Sequence, residues 1–280
     1  METWEILLIV FGSLFLAALI FAAGFCFLIS PNKKRREMEK YKAVKYAHRG
    51  LHSEGVAENS LSAFEKARDM GFGIELDVQL SSDGELVVFH DSTLKRVCGI
   101  DGKVKDFTAA ELSEMSLLGT ADTIPLFKDV LNLIGGRVPL LIEVKMEAGE
   151  SGIAEKLLEV IDGYKGEFIV ESFNPYALKV LKERRPDILR GILSYEYMKN
   201  EKNKGKPLFW FLQNLLTNYI GRPDFIAYEK TGFTNHNLRF IRHTFATPLM
   251  AWTVKSQEEE AAAISHGFDT VIFEGYIPEQ

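Results

Sequence analysis

The stretch GIELDVQLSSDGELVVFH, residues 73–90, contains two β-rich runs separated by a short polar turn. The runs cover 73–79 and 85–90, so only residues 80–84 lie between them. A crossover between parallel strands needs about a dozen residues or more. These two runs therefore form a hairpin, or one of them lies outside the main sheet.

Outside this stretch, short β-rich runs alternate with helical patterns over residues 43–280. The predicted strands are 43–47, 73–79, 85–90, 139–145, 167–172, 189–194, 224–228, 248–252 and 269–273. The predicted helices are 60–70, 108–115, 126–134, 152–163, 175–184, 206–219, 235–242 and 256–265. This alternation predicts an α/β fold, a (β/α)8 TIM barrel, with a doubly wound open sheet as the alternative. Nine strands are predicted for the eight places of such a barrel.

The helical pattern at 60–70 carries local signals at both ends. Asn59 and Ser60 can cap its free N–H groups, and Gly71 can end it. Leu61, Phe64 and Ala67 repeat along one face, as expected for a helix that packs against a sheet.

A long apolar segment precedes the predicted barrel. From Ile6 to Ser30 there is no acidic, basic or histidine residue, and these 25 residues exceed the roughly 20 that cross a bilayer. Trp4 lies at the start, and Pro31 and the basic cluster 33–36 follow. A cleaved signal peptide and a buried core helix are the alternatives. The leader before the segment is acidic, which disfavours the first, and the segment has no polar face, which disfavours the second.

This pattern divides the chain into three predicted parts. They are a transmembrane anchor over 1–30, a basic juxtamembrane linker over 31–42 and the barrel domain over 43–280. The positive-inside rule predicts a single-pass membrane protein with the catalytic domain in the cytoplasm.

Composition excludes several classes of protein. With 46% hydrophobic and 26% charged residues, the 280-residue chain is neither disordered nor polytopic. A net charge of −6 argues against a nucleic-acid partner, and two cysteines argue against a disulfide scaffold. Residues 1–42 carry six basic and four acidic side chains, net +2, so 43–280 carry 27 and 35, net −8. Nothing in the sequence specifies an oligomeric state.

Acidic side chains interrupt two of the predicted strands. Glu75 and Asp77 are two residues apart, so they point to the same side of a strand, and Glu143 lies in a later one. Three oxygen donors suit Mg²⁺ or Ca²⁺. The alternative is that Glu75 and Asp77 simply form ion pairs with Lys145 and Arg49.

Two histidines follow separate strands. An imidazole titrates near neutrality, so His48 and His90 can act as an acid–base pair. Arg49 offers a planar guanidinium suited to phosphate oxygens, and Gly50 would let a substrate approach the backbone.

These residues lie in an ordered series of motifs that resembles the glycerophosphodiester phosphodiesterase family. The series spans 43–275 and comprises His48-Arg49-Gly50, Glu58-Asn59-Ser60, Glu75-Leu76-Asp77-Val78, Ser82-Asp83-Gly84, Val87-Val88-Phe89-His90-Asp91, Ile142-Glu143-Val144-Lys145, Glu171-Ser172-Phe173 and Ala251-Trp252-Thr253-Val254. The last strand departs from the family pattern, because Glu274 is followed by proline only at Pro278. Lys255 stands where an asparagine is frequent.

The resemblance implies a TIM barrel that uses a divalent cation to hydrolyse glycerophosphodiesters to glycerol 3-phosphate and an alcohol. It implies metal binding by Glu75, Asp77 and Glu143, and acid–base catalysis by His48 and His90. It further implies that Arg49 and Lys145 hold the phosphate, that Trp252 packs against the glycerol side, and that Glu58 has a supporting or ligand role.

Two other functions stay open beside this one. A phosphoinositide-type lyase on a similar barrel would form a cyclic phosphate, and a membrane-anchored binding barrel would lack turnover. The nucleophile, water or the glycerol 2-hydroxyl, is also left open.

An aromatic stretch, PLFWFLQNLLTNYI at 207–220, bears on the substrate. As a barrel helix it would bury its apolar face against the sheet. As a hydrophobic lip, flanked by Lys204 and Lys206 and carrying Trp210, it would contact a bilayer or an acyl chain. The second interpretation, together with the anchor, leads to the hypothesis that lysophospholipids or other membrane-derived glycerophosphodiesters are substrates.

Overall fold

The computed structural model describes residues 3–32, 35–147 and 150–279. Its strands are β1 Tyr46–Ala47, β2 Gly73–Leu80, β3 Leu86–Val88, β4 Leu140–Val144, β5 Phe168–Ser172, β6 Arg190–Ser194, β7 Phe225–Glu229, β8 Leu249–Val254 and β9 Thr270–Phe273. Its helices are α1 Thr3–Ile29, α2 Arg35–Met38, α3 Leu61–Asp69, α4 Lys95–Cys98, α5 Ala109–Ser113, α6 Phe127–Ile134, α7 Ile153–Ile161, α8 Pro175–Arg184, α9 Pro207–Gln213, α10 Asn218–Gly221, α11 His236–Phe245 and α12 Gln257–Ser265.

Eight of the strands form a closed parallel barrel. The order around it is β1, β2, β4, β5, β6, β7, β8 and β9, and β9 pairs with β1 to close the ring. β3 lies outside the ring, antiparallel to β2, with Val78 opposite Val88 and Leu80 opposite Leu86. The predicted TIM barrel is confirmed, and so is the hairpin at 73–90 that holds the ninth strand.

Alternation along the strands divides the core into two layers. Residues such as Ile74, Leu76 and Ile142 pack outward against the helices. Leu141, Ile169, Phe225, Met250 and Ile272 belong to a second apolar cluster inside the barrel, which also contains Met38 and Tyr41. Because side chains alternate along a strand, acidic residues two positions after an inward residue also face the barrel interior.

Helix α3 shows one difference from the predicted capping. Ser60 is the N-cap, and its Oγ accepts a hydrogen bond from the Ala63 N–H at 3.1 Å. Asn59 does not cap the helix, because its side-chain amide donates to Asp77 Oδ2 at 2.7 Å. The predicted helix end therefore contributes a residue to the interior of the barrel.

The predicted helix over 206–219 is interrupted. α9 ends at Gln213, α10 begins at Asn218, and Leu215 between them has a positive φ of 59°. Leu215 and Leu216 are buried, but none of the seven residues of α9 is. The prediction of one barrel helix that buries its apolar face is therefore wrong for α9.

Helix α1 is long and apolar enough to cross a membrane, although a signal sequence can have the same length and composition. Its large apolar side chains are exposed from Trp4 to Phe21, which rules out the buried core helix. Only its last turns contact the barrel: Ile29 is buried, and Asn218 Nδ2 donates to the Ile29 carbonyl at 3.1 Å. Lys33 and Lys34 of the predicted basic cluster lie outside the described residues.

Candidate active site

The three predicted acidic residues meet inside the barrel. β2 and β4 are neighbours in the ring, and their register places Asp77 opposite Glu143 and Glu75 opposite Leu141. One carboxylate oxygen from each of Glu75, Asp77 and Glu143 lies within 4.8 Å of the others, and all three residues are buried. The two-residue spacing on β2 brings both of its carboxylates to the same inward side.

The cations that could pair with these carboxylates lie beside them. Lys145 Nζ is 3.0 Å from Asp77 Oδ1 and 2.8 Å from Glu143 Oε1. Arg49 Nε is 3.6 Å from Asp77 Oδ2, and the Arg49 backbone N–H donates to Glu75 Oε2 at 2.9 Å. Asp77 therefore forms the predicted ion pairs, Glu75 receives a backbone hydrogen bond instead, and Lys145 also pairs with Glu143.

Burial acts differently on the three acids. It raises the pKa of Glu75 well above its usual value, and the neighbouring Asp77 and Glu143 carboxylates add to this. Burial also raises the pKa of Glu143, to about 7, although Lys145 opposes it. At Asp77 the burial effect is outweighed by Lys145, His90 and Arg49, which hold its pKa below the usual value.

A fourth buried acid, Glu171, stands next to this group. It lies on β5 opposite Glu143, and burial together with Glu75 and Glu143 raises its pKa well above the usual value. Its Oε2 has no hydrogen-bond partner among the described residues. Sequence reasoning assigned no role to Glu171, although an acidic residue inside an apolar strand was the available signal.

The acids in the barrel outnumber the nearby cations. Lys145 and Arg49 face four carboxyl groups, and Arg49 also contacts Glu58. Buried carboxylates without compensation are costly, and a set of hard oxygen donors is what Mg²⁺ and Ca²⁺ prefer. The residues present therefore fit a divalent cation bound by Glu75, Asp77 and Glu143.

His48 follows β1 and is held by a residue at the end of β9. Its Nδ1 lies 2.6 Å from Glu274 Oε2, and Lys255 Nζ lies 3.1 Å from the other oxygen of Glu274. Burial lowers the pKa of His48, and the hydrogen bond to Glu274 opposes this. Sequence reasoning noted Glu274 only as a departure from a family pattern. The signal for its role is that β1 and β9 are neighbours in a closed barrel.

His90 follows β3 and has its own carboxylate partner. Its Nδ1 is 2.6 Å from Asp91 Oδ1, and burial lowers the pKa of His90 while Asp77 opposes this. A cavity of about 480 Å³ opens here, and His90, Glu143, Lys145 and Phe173 contribute to its lining. Each histidine therefore has Nδ1 engaged by a carboxylate, which leaves Nε2 for proton transfer.

Glu58 lies in an ion-pair network rather than in the carboxylate cluster. Its Oε1 is 2.7 Å from Arg49 and 2.7 Å from Arg96, and Arg96 Nε also donates to Asp91 Oδ2 at 2.7 Å. Arg96 was not among the residues predicted from the sequence. It links Asp91, the partner of His90, to Glu58, the partner of Arg49. This position agrees with the supporting role among the two predicted for Glu58.

The close approach at Gly50 is to a helix, which corrects the prediction that it admits a substrate. A Cβ placed there would lie 2.8 Å from Ala63 Cβ and 2.9 Å from the Ala63 backbone carbon. Its φ of +79° also favours glycine. Gly50 therefore lets the loop after β1 pack tightly on α3.

Trp252 stands at the end of β8 among other aromatic rings. Its centroid is 5.5 Å from that of Phe173 and 6.3 Å from that of Tyr195, and both contacts are edge-on. Lys145 Nζ lies 6.0 Å from the centroid of Phe173. Trp252 is therefore separated from the phosphate-binding candidate Lys145 by one ring, a position suited to the organic part of a substrate.

Glu274→Gln tests how His48 is held. Because Glu274 raises the pKa of His48, its removal lowers that pKa further. The limb of the kcat/KM profile that reports His48 then moves to lower pH, whether the histidine acts as acid or as base. We expect the loss of kcat/KM to be smaller than the roughly 10²-fold minimum for losing the histidine itself. The control is Glu54→Gln, because Glu54 is an exposed glutamate of the loop between β1 and α3 that contains His48. An unmoved limb would contradict the positioning role.

Known proteins resemble this chain in sequence and in fold. The glycerophosphoryl diester phosphodiesterase family matches residues 48–275. A glycerophosphodiester phosphodiesterase of Caldanaerobacter subterraneus subsp. tengcongensis is 39% identical over 164 residues, 54% of this chain and 67% of that protein. The crystal structure of the glycerophosphodiester phosphodiesterase of Thermotoga maritima is 30% identical with a TM-score of 0.61, covering 82% of this chain and 94% of that one.

A phosphodiesterase of Oleispira antarctica, solved in complex with its product sn-glycerol-3-phosphate, shares the fold. Its TM-score is 0.67 at 24% identity, over 84% of this chain and 94% of that one. The match from 48 to 275 runs from the residue after β1 to beyond the end of β9, and it includes all the motifs quoted above. This protein is a phosphoric diester hydrolase and belongs to the glycerophosphoryl diester phosphodiesterase family.

Proposed function

We propose that the enzyme hydrolyses glycerophosphodiesters to glycerol 3-phosphate and an alcohol, with His48 and His90 as general acid and base. The observation that carries the proposal is the group of three buried carboxylates, Glu75, Asp77 and Glu143, within 4.8 Å of one another. His48 follows β1 and His90 follows β3, both of which pair with β2, and each ring is oriented by a carboxylate.

A divalent cation, Mg²⁺ or Ca²⁺, would be held by these three carboxylates. When bound, it would supply positive charge to the phosphate oxygens and stabilise the charge that develops during cleavage. Burial, followed by the neighbouring carboxylates, raises the pKa values of Glu75, Glu143 and Glu171, and a bound cation would favour their ionised forms.

Lys145 and Arg49 would bind the phosphate. Burial lowers the pKa of Lys145, but the Asp77 and Glu143 carboxylates raise it. The net result is a pKa above the usual value. The ammonium group therefore stays charged at neutral pH beside an anionic substrate. Glu58 would hold the guanidinium of Arg49 in place through their 2.7 Å contact.

The histidines would move the protons. One Nε2 accepts the proton of the nucleophile, water or the glycerol 2-hydroxyl, while the other Nε2 donates a proton to the leaving oxygen. The burial-lowered pKa values of both rings favour a neutral imidazole as the base. Trp252 and Phe173 would pack against the glycerol side of the substrate.

The test is release of glycerol 3-phosphate from glycerophosphocholine, with and without EDTA. We expect turnover that EDTA abolishes and that Mg²⁺ or Ca²⁺ restores. Turnover in the presence of EDTA would contradict the metal-dependent mechanism. A stable cyclic phosphate as end product would favour the lyase, and binding without turnover would favour a non-catalytic barrel.

We further propose that α1 remains attached as a single-pass anchor with the barrel in the cytoplasm. The proposal is supported by the packing of its last turn. Arg222 donates hydrogen bonds to the carbonyls of Phe27 and Ser30, each at 2.9 Å, and the Asn32 N–H donates to the Pro223 carbonyl at 2.8 Å. Cleavage after residue 30 would remove the two carbonyls to which Arg222 donates. This assignment keeps the boundaries 1–30, 31–42 and 43–280.

The anchor and the exposed aromatic side chains of α9 also support lysophospholipids or other membrane-derived glycerophosphodiesters as substrates. We expect the protein to release choline from lysophosphatidylcholine as well as from glycerophosphocholine. Release from the deacylated substrate alone would reject the lipid hypothesis.

A further inference from the structure

A group of large apolar side chains is exposed on one flank of the barrel. Leu208, Trp210 and Phe211 of α9 are 62%, 48% and 41% exposed, and Tyr219 and Phe240 are 39% and 41% exposed. We call these five residues the apolar shelf. Single exposed apolar residues are ordinary, but a group of this size marks an interaction surface.

The shelf is continuous with the end of α1. The ring of Phe27 lies 5.9 Å from that of Tyr219, and the ring of Phe25 lies 6.2 Å from that of Phe240. α1 reaches the barrel at this flank and exposes its own apolar side chains over most of its length. An apolar medium that surrounds α1 would therefore also meet the shelf.

Basic residues border the shelf on its N-terminal side. Residues 199–206 contain four lysines, Lys199, Lys202, Lys204 and Lys206, and one acidic residue, Glu201. This segment is thus net +3 in a domain that is net −8. Lys206 Nζ also lies 5.8 Å from the ring centroid of Phe209. Aromatic side chains beside lysines are typical of segments that lie in the interface of a bilayer containing anionic lipids.

A series of aromatic contacts connects α9, the helix that carries three residues of the shelf, with the candidate active site. The Phe209 ring is 5.6 Å from that of Tyr197, which is 3.9 Å from that of Tyr195, and Tyr195 contacts Trp252 at 6.3 Å. The shelf therefore lies on the side of the barrel that these rings connect to the end of β8.

We propose that the apolar shelf is a second membrane contact, which inserts into the headgroup and upper acyl region of the bilayer that holds α1. Its partner is a lipid surface containing anionic headgroups. Two contacts, the anchor and the shelf, would stop rotation of the barrel about its tether and keep one flank on the membrane. The proposal does not depend on the assigned catalytic mechanism.

Tryptophan quenching in nanodiscs tests the contact on the full chain. The chain has three tryptophans, Trp4, Trp210 and Trp252. Trp4→Phe retains the other two, and Trp4→Phe with Trp210→Phe retains only Trp252. Both variants are placed in phosphatidylcholine–phosphatidylserine nanodiscs with bromine on the upper acyl carbons. We expect the Trp210 emission, taken as the difference between the variants, to fall at least about two-fold in brominated lipid, as for an interfacial aromatic. We expect Trp252 to be unaffected.

A probe on the other flank controls for lipid contact in general. Leu118 is 53% exposed and lies between β3 and α6 in the chain. β3 pairs with β2, and β2 stands opposite β7 across the ring, whereas α9 and α10 directly precede β7. Leu118→Trp in the variant that retains only Trp252 should be unquenched. Equal quenching at 118 and 210 would overturn the proposal. Unquenched Trp210 would also overturn it, and two chains per nanodisc would then identify a second copy as the occupant. Circular dichroism establishes that each variant is folded, so the result does not require activity.

Discussion

We expect His48→Ala and His90→Ala each to lower kcat for glycerophosphocholine hydrolysis by about 10²–10⁴-fold, the usual contribution of a positioned acid or base. The reason is that each ring has Nδ1 engaged by a carboxylate at 2.6 Å, so alanine removes the proton carrier that the carboxylate orients. The rate of glycerol 3-phosphate formation in a single turnover measures the loss directly, because dissociation of the product from the enzyme does not limit that rate.

The matched control is His52→Ala. His52 lies four residues after His48 in the same loop and is half-buried, and burial lowers its pKa as it does that of His48. Since no proton transfer is assigned to His52, its loss should change kcat by no more than a few-fold, well short of the range above. If either His48→Ala or His90→Ala kept more than a tenth of the activity, acid–base catalysis by that residue would be wrong.

The second large effect concerns the carboxylates. Glu75→Gln and Glu143→Gln each replace a carboxylate ligand of the cation site by a neutral amide, and we expect each to weaken divalent-cation binding at least about 10²-fold, the upper range for disturbing a ligand's support. Isothermal titration with Mg²⁺ and Ca²⁺ measures the change. The stabilisation of wild-type protein by the cation, seen as a rise in Tm, should be lost in both variants.

We expect Glu75→Gln to have the opposite effect on the stability of the metal-free protein. Glu75 has a raised pKa when folded, so its contribution to stability is present below the pKa of the unfolded chain and is lost as pH rises through the folded value. In EDTA at neutral pH, Glu75→Gln should therefore raise Tm, because it removes a buried carboxylate that lacks compensation. Glu183→Gln, at an exposed glutamate of α8, should change neither binding nor Tm. A metal-free Glu75→Gln protein less stable than wild type would mean that Glu75 serves as a structural acceptor for the Arg49 N–H.

Pattern reasoning works best for elements that depend on nearby residues. The hairpin of β2 and β3 follows from a turn too short for a crossover, and the structure confirms it. α3 lies within the predicted 60–70, because Ser60 caps it through a bond to Ala63, three residues away. α9 shows the opposite case. Its apolar spacing predicts burial, but the positive φ at Leu215 ends the helical segment and leaves α9 exposed.

The sequence by itself determined the barrel, the inward direction of Glu75 and Asp77, and the residues that form the carboxylate group. The physical reason is that side chains two apart on one strand share a side, and burying charged groups inside apolar strands requires compensation. Only the tertiary structure decided that Glu274 holds His48 and that Arg96 contacts Glu58. Glu274 lies 226 residues from His48, and Arg96 lies 38 residues from Glu58. Such pairs form because ring closure brings β9 beside β1 and because the loops after the strands meet at one end of the barrel, which no local pattern encodes.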